Sequence, residues 1–283
     1  MKLGYATMNN LHEGRPEETA RALEERGFES FWIGEHAHLP GSGRIPYPRG
    51  GQIPEAYKHM ADPFISLALA GSATTKLKLG LGVVLVLERD VFTTAKAIAS
   101  LDQLSGGRVL LSVGVGWNRE EFENVALMPW AKRYAGMKEY MAAMRALWGE
   151  ELSSYQGEWV KFDRVWSNPK PLQKPWPRLY LGVAGPVGTR HAVEWGEGWN
   201  PIEQVPANFG PKLAAFKAAL REKGRDPDKV PVTVLTFSDP SPDELKHYRD
   251  LGVERVVLNG GSQDETKKLP RLDALAKVIP SLG

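Results

Sequence analysis

The stretch Leu77-Lys78-Leu79-Gly80-Leu81-Gly82-Val83-Val84-Leu85-Val86-Leu87 decides the fold class. Apart from Lys78 and the two glycines, every position is apolar. A strand with one wet face alternates polar and apolar side chains. A strand covered on both faces need not, and such strands belong to parallel sheets layered with helices. Upstream, Lys2–Met8 and Phe28–Gly34 read as strands, separated by a helix with Pro16 in its first turn and Gly27 as its stop. Asp62-Pro63, a capping residue followed by a first-turn proline, opens a helix over Phe64–Ala73. Downstream, a helix over Thr93–Leu104 leads to a strand at Val109–Val115. A short helix over Arg119–Asn124 and a long one carrying Met137, Tyr140, Met141, Met144, Leu147 and Trp148 follow. The alternation resumes with strands at Arg178–Val183, Gly198–Pro201, Val230–Phe237 and Arg255–Leu258. The intervening helices are predicted at Gly188–Glu194, Pro206–Lys223, after the capping box at Ser241–Glu244, and at Glu265–Ile279.

Eight strands, each followed by a helix, are what a (β/α)8 barrel requires. The predicted fold is therefore α/β, a single TIM barrel over residues 1–283. It carries two insertions, a Pro/Gly-rich loop over 35–61 and a hairpin with a Pro-rich connection over 152–176. A doubly wound open sheet is disfavoured because no G-x-G-x-x-G follows the first strand.

Composition narrows the function. The 283 residues carry 36 basic and 34 acidic side chains, a net charge of +2. That balance argues against a nucleic-acid binder. The longest apolar run is far shorter than the roughly 20 residues of a bilayer span, and the N-terminus shows no signal-peptide pattern, so a cytoplasmic protein without membrane partners is expected. The absence of cysteine excludes disulfides, thiolate metal sites and cysteine nucleophiles.

Barrel chemistry sits at the C-terminal ends of strands. Strand two ends in Glu35-His36-Ala37-His38, where a histidine is a candidate acid, base or ligand contact. The H-x-H spacing also suits a metal-dependent hydrolase, but the further ligands such a site needs are missing from later strand ends, and no metal is expected. Gly80 and Gly82 mark either a close ligand approach or relief of crowding inside the barrel. Strand four ends in Gly114-Val115-Gly116-Trp117. Strand five runs from Gly182 into Gly185-Pro186-Val187-Gly188-Thr189-Arg190, a turn that can offer backbone N–H groups to an anion. The 36–61 loop, with Arg44, Tyr47, Arg49 and Tyr57, is a candidate lid or a static cover.

Several of these segments together resemble the luciferase-like (bacterial luciferase-type) flavin and deazaflavin oxidoreductases, most closely the branch that uses coenzyme F420. They are Gly27–His36, Asp62-Pro63-Phe64, Thr74–Val83, Ala95–Val109, Gly114–Phe122 and Gly196–Pro201. The resemblance implies a flavin-type ring at the barrel mouth and a non-prolyl cis peptide behind it, at Gly82–Val83. It implies that His36 is catalytic and that Glu35, Gly114, Gly116, Trp117 and Gly182 lie around the cofactor. It assigns Gly185, Pro186, Val187, Gly188 and Thr189 to the cofactor phosphate. Arg133 and Arg190 are either partners of its anionic tail or, the favoured reading, solvated surface residues. Relatives that oxidise sugar phosphates place a glutamate near Trp117, so that substrate class is not expected, and Pro186 removes one donor from the phosphate turn. Glu35 is expected to cap its loop. The expected activity is F420-dependent hydride transfer to or from a small organic molecule. The alternatives are a two-component monooxygenase using reduced FMN and O2, and a non-catalytic flavin-binding protein. The implied partners are the small-molecule substrate, a second copy in a homodimer, and a flavin or F420 reductase that supplies reduced cofactor.

Overall fold

The computed structural model describes residues 1–260 and 265–283. Its main sheet comprises β1 (Lys2–Thr7), β2 (Ser30–Ile33), β3 (Lys78–Leu85), β4 (Val109–Gly114), β7 (Leu179–Leu181), β8 (Gly198–Trp199), β9 (Thr233–Thr236) and β10 (Arg255–Asn259). They pair in parallel in the order β8-β7-β4-β3-β2-β1-β10-β9. Parallel bridges Trp199–Val232 and Ile202–Leu235 join the two ends, so the sheet closes into a (β/α)8 barrel. The antiparallel pair β5 (Ser153–Gln156) and β6 (Lys161–Val165) lies outside it. The carboxylate of Glu139 accepts the N–H groups of Glu158, Trp159 and Val160 at the hairpin tip.

Helices α1 (Pro16–Glu25), α2 (Pro63–Ser72), α3 (Val91–Leu104), α4 (Arg119–Val125), α5 (Arg133–Gly149), α6 (Gly185–Trp195), α7 (Phe209–Glu222), α8 (Pro242–Asp250) and α9 (Glu265–Ala276) occupy the connections. Their starts follow local chemistry. Asp62 accepts from Phe64 N and Ile65 N. Ser241 and Glu244 form a reciprocal capping box. Asp90, which accepts from Thr93 N, starts α3 two residues before the expected Thr93. Helix α6 begins at Gly185, three residues before the expected Gly188, so the glycine-rich turn is the first turn of the helix itself. Strand β8 is only two residues long because it forms the seam of the barrel, where single bridges replace a continuous ladder.

The β3 run behaves as its composition requires. Leu79 and Leu81 are fully buried among the helices, in the same layer as Phe31, Ile33, Leu111 and Val113. The other face fills the bore. There Trp32 packs with Ala6, Val257, Leu110 and Leu235. A Cβ on Gly80 would lie 2.2 Å from Trp32 Cδ2, and one on Gly82 would lie 2.5 Å from Trp32 Cε3. Both glycines therefore make room for an indole, which is the crowding-relief reading of the sequence. The Gly82–Val83 peptide is cis. Trp32 Nε1 donates to Ser30 Oγ at 2.8 Å, satisfying the polar atom of the plug. Below it, Arg255 is buried and donates from Nε and Nη2 to Glu29 at 2.7 and 2.8 Å.

Gly80→Ala should cost about 3 kcal/mol, at the upper end for overpacking a rigid core. Leu104→Ala, on a side chain that is 86% exposed, should cost under about 0.5 kcal/mol. Urea denaturation of both variants checks the pair. Equal effects would show that the bore does not confine Trp32.

Candidate active site

A cavity of about 160 Å3 opens at the C-terminal end of the barrel. Its floor and walls include Ala6, Gly34, Gly82, Val83, Gly182 and Asn200, and its rim includes Glu35, His36, Tyr57, Met60 and Trp117. The 35–61 loop crosses this mouth and is tied down at several points. Asn9 Nδ2 donates to Ala61 O at 2.6 Å, and Ser42 and Arg44 engage Glu120. The Tyr47 and Tyr57 hydroxyls meet at 3.1 Å, and the Arg49 guanidinium lies 4.3 Å over the Phe237 ring. Burial pushes the Tyr57 hydroxyl up, further from ionisation.

His36 is held from two sides. Its Nδ1 lies 2.7 Å from Glu121 Oε2, and its Nε2 lies 3.2 Å from Trp117 Nε1. An indole N–H only donates, so Nε2 accepts and the proton of the neutral ring sits on Nδ1, where it donates to Glu121. The outer nitrogen is thus a base aimed at the rim, and the inner one is anchored.

Three buried carboxyls surround this histidine. Glu35 reaches across to the neighbouring strand instead of capping its own loop. It accepts from Leu85 N at 2.9 Å and from Arg89 Nε, which ties the end of β2 to the end of β3. Burial raises its affinity for a proton, with Arg89 and the Leu85 N–H opposing. Glu121 is completely buried and has His36 on one oxygen only. Glu88 is buried, and no donor among the described residues reaches either of its oxygens. Burial, helped by the Glu121 and Glu35 charges, pushes the Glu88 carboxyl up to about 9. Sequence reasoning passed over Glu88 and left Glu121 without a role. Their only trace was acidic residues at strand ends inside apolar or capped segments.

The remaining predicted residues divide. Gly114 and Gly116 do not line the cavity. A Cβ on Gly114 would meet Val83 Cγ2 at 2.9 Å, and one on Gly116 would meet Glu88 Oε1 at 3.2 Å. Gly185, Pro186, Thr189 and Arg190 line a second, mostly apolar cavity of about 600 Å3 between α6 and α7, and Ile202 lines both. Val187 is exposed, and Gly188 packs on Val183. Helix α6 has no side-chain cap, so its first-turn N–H groups, Pro186 excepted, are open to an anion. Arg133 stacks 4.0 Å over Trp130. His38 meets Asn124, and His191 stacks on Tyr134, both away from the mouth. Among the described residues no group of three or more His, Asp or Glu is placed to hold a metal ion. None of their helices is long and apolar enough to cross a membrane.

The sequence profile of the luciferase-like monooxygenases matches residues 3–268. The chain belongs to the luciferase-like monooxygenase family. An uncharacterised member from Mycobacterium tuberculosis (strain H37Rv) is 35% identical over 249 residues, 86% of each chain. The phthiodiolone/phenolphthiodiolone dimycocerosates ketoreductase of the same organism is 30% identical over 212 residues, 72% of this chain and 55% of that protein. Among solved structures, an F420-dependent secondary alcohol dehydrogenase in complex with an F420–acetone adduct superposes with a TM-score of 0.79 at 19% identity. The match covers 100% of this chain and 99% of that one. The monooxygenase RslO1 from Streptomyces bottropensis gives 0.79 at 18% identity, with 99% of each chain covered. Such identities establish the shared fold.

Within this luciferase-like oxidoreductase, Glu88 ties stability to pH. An unfolded glutamate releases its proton near 4.5, whereas folded Glu88 keeps it to about 9. The folded state therefore binds the extra proton throughout that window, and stability falls as pH rises through it. Glu88→Gln removes this titration. Its melting temperature should rise relative to wild type by several degrees between about pH 5 and about pH 8. A constant difference between the two proteins would mean that Glu88 is already ionised in the fold.

Proposed function

We propose that the protein is an F420-dependent oxidoreductase that moves a hydride between the deazaflavin and a small alcohol or carbonyl compound. The observation that carries this reading is His36, whose Nδ1 is anchored 2.7 Å from Glu121 Oε2 while its Nε2 meets Trp117 Nε1 at the rim of the barrel mouth. The names of similar proteins, a ketoreductase and an F420-dependent secondary alcohol dehydrogenase, support the substrate class.

The residues present fit the cofactor. Gly82 and Val83 line the mouth, where an isoalloxazine-type ring would lie. The uncapped start of α6 would suit a phosphate, with Gly185 and Val187 as N–H donors and Thr189 and Arg190 nearby. Bound F420 supplies a two-electron hydride carrier. The protein's share is positioning, exclusion of water and one proton. In the oxidative direction His36 Nε2 would accept the hydroxyl proton of an alcohol substrate. In the reductive direction the imidazolium returns that proton to the carbonyl oxygen. Glu121 stabilises the cationic ring in both, as a carboxylate behind a catalytic histidine does. Trp117 Nε1 occupies Nε2 until a substrate oxygen replaces it. Tyr57 and Met60 cover the rim against water.

A two-component FMN monooxygenase is the competing reading, because the RslO1 monooxygenase superposes equally well. Anaerobic incubation of reduced F420 with a panel of ketones and aldehydes separates the two. The proposal expects carbonyl-dependent reoxidation of F420 without oxygen. It also expects His36→Asn to lower kcat about a hundredfold or more, with F420 affinity changed less than about threefold. Oxygen uptake with reduced FMN, and none of this reoxidation, would assign the site to the monooxygenase.

A further inference from the structure

Two buried carboxyls behind His36 lack the donors that buried acids need. Glu121 Oε2 has His36 Nδ1, but its Oε1 is buried with no donor among the described residues. Both oxygens of Glu88 are in the same condition. Helix α4, which carries Glu121, packs on the Val86–Glu88 turn, so the two carboxyls are buried side by side, and the Glu121 charge is one of the causes that raise the proton affinity of Glu88. Two adjacent buried carboxylates would repel, and each would forfeit the solvation it had in water. One proton between them removes both penalties. The surroundings decide which carboxyl holds it.

Glu121 already accepts from a histidine N–H. Glu88 has no such partner. The cation next to it in sequence, Arg89, is divided between Glu35 and Asp62, and the Glu35 charge adds to the case for a neutral Glu88. Asn118, the N-cap of α4, accepts the N–H groups of Glu120 and Glu121 on its Oδ1, and its amide N–H groups do not reach either Glu88 oxygen. Helix α5 packs on the same turn through Gly136 beside Leu87, an apolar contact.

We propose that Glu88 carries a proton at neutral pH and donates it to Glu121 Oε1, so that Glu88, Glu121 and His36 form one hydrogen-bonded chain that holds Nε2 toward the mouth. No bond other than these hydrogen bonds is made. The proton stays on Glu88, and Glu121 stays the acceptor of both neighbours. Glu88 and Glu121 are positioning residues, and only His36 reaches the cavity. Gly116, at φ +70°, passes over Glu88 with no side chain, which leaves the carboxyl its place beneath strand four. The consequence for catalysis rests on the F420 reading; the shared proton does not, and it is tested on the apoprotein.

Infrared difference spectra at neutral pH should show the C=O stretch of a buried protonated carboxyl in wild type and lose it in Glu88→Gln. If Glu88→Gln does not fold, 13C-glutamate NMR of wild type gives the same reading, as one side-chain carboxyl that remains protonated at neutral pH. Histidine side-chain 15N spectra should show His36 as a single Nδ1–H tautomer in wild type and as a tautomer mixture in Glu121→Leu. No protonated carboxyl in wild type, a band that survives Glu88→Gln, or an unaltered His36 tautomer in Glu121→Leu would each overturn the proposal. With reduced F420 and an accepted carbonyl substrate, Glu88→Leu should lose tenfold or more in kcat. KM should change less than threefold, and Glu88→Gln, whose amide can donate in place of the hydroxyl, should recover most of the loss. A protein that shows the shared proton but never turns over F420 would sink the cofactor reading and leave the proton chain standing.

Discussion

One indole sets the depth of everything in this barrel. Trp32 lies across the bore, and Gly4, Gly80 and Gly82 have no side chain where its ring and N–H sit. The plug closes the middle of the barrel. Beneath it the charged pair Arg255–Glu29 and the Tyr180–Glu254 hydrogen bond, 2.7 Å, fill the N-terminal end. Above it there is room only at the strand ends, where Gly34, Gly82 and Gly182 keep the backbone low enough for a cavity. Removing Cβ atoms from a buried strand costs backbone entropy, roughly 0.5–1 kcal/mol per glycine. Burial of the whole indole offsets that cost.

The mouth is also unusually acidic for a buried place. Three carboxyls lie within one shell, and each escapes the cost of burial in a different way. Glu35 uses a guanidinium and a backbone N–H. Glu121 uses the histidine it orients. Glu88 keeps its proton. These solutions depend on one another, since Arg89 cannot serve Glu88 while it serves Glu35 and Asp62. The basic nitrogen of His36 is the outward end of this arrangement.

Much of the fold could be read from local pattern. The apolar β3 run, the Asp62-Pro63 cap and the Ser241 capping box each report on their own neighbourhood, and alternation of such signals is enough to specify a barrel. The site was legible where position along a strand carries the information. His36 and Trp117 reach the cavity because strand ends do. Glu121 and Glu88 were not legible, because their meaning depends on residues 85 positions away and on a missing donor. Gly114 and Gly116 look alike in sequence with the wall glycines, yet they relieve contacts with Val83 and Glu88 instead of lining the mouth. A glycine shows that a side chain is unwelcome without showing what stands in its place. The start of α6 lies earlier than expected because Gly185, at φ +70°, has the backbone of a turn, while the helical hydrogen bonding already begins there, after an extended Ala184.

The central claim is that the barrel mouth and the start of α6 together hold a deazaflavin. Equilibrium titration of the apoprotein with F420, and separately with FMN, tests it most directly, by absorbance and fluorescence of each cofactor. The account predicts a micromolar dissociation constant for F420, about −8 kcal/mol, and binding of FMN at least tenfold weaker. Preference for FMN, or no binding of either, would contradict it.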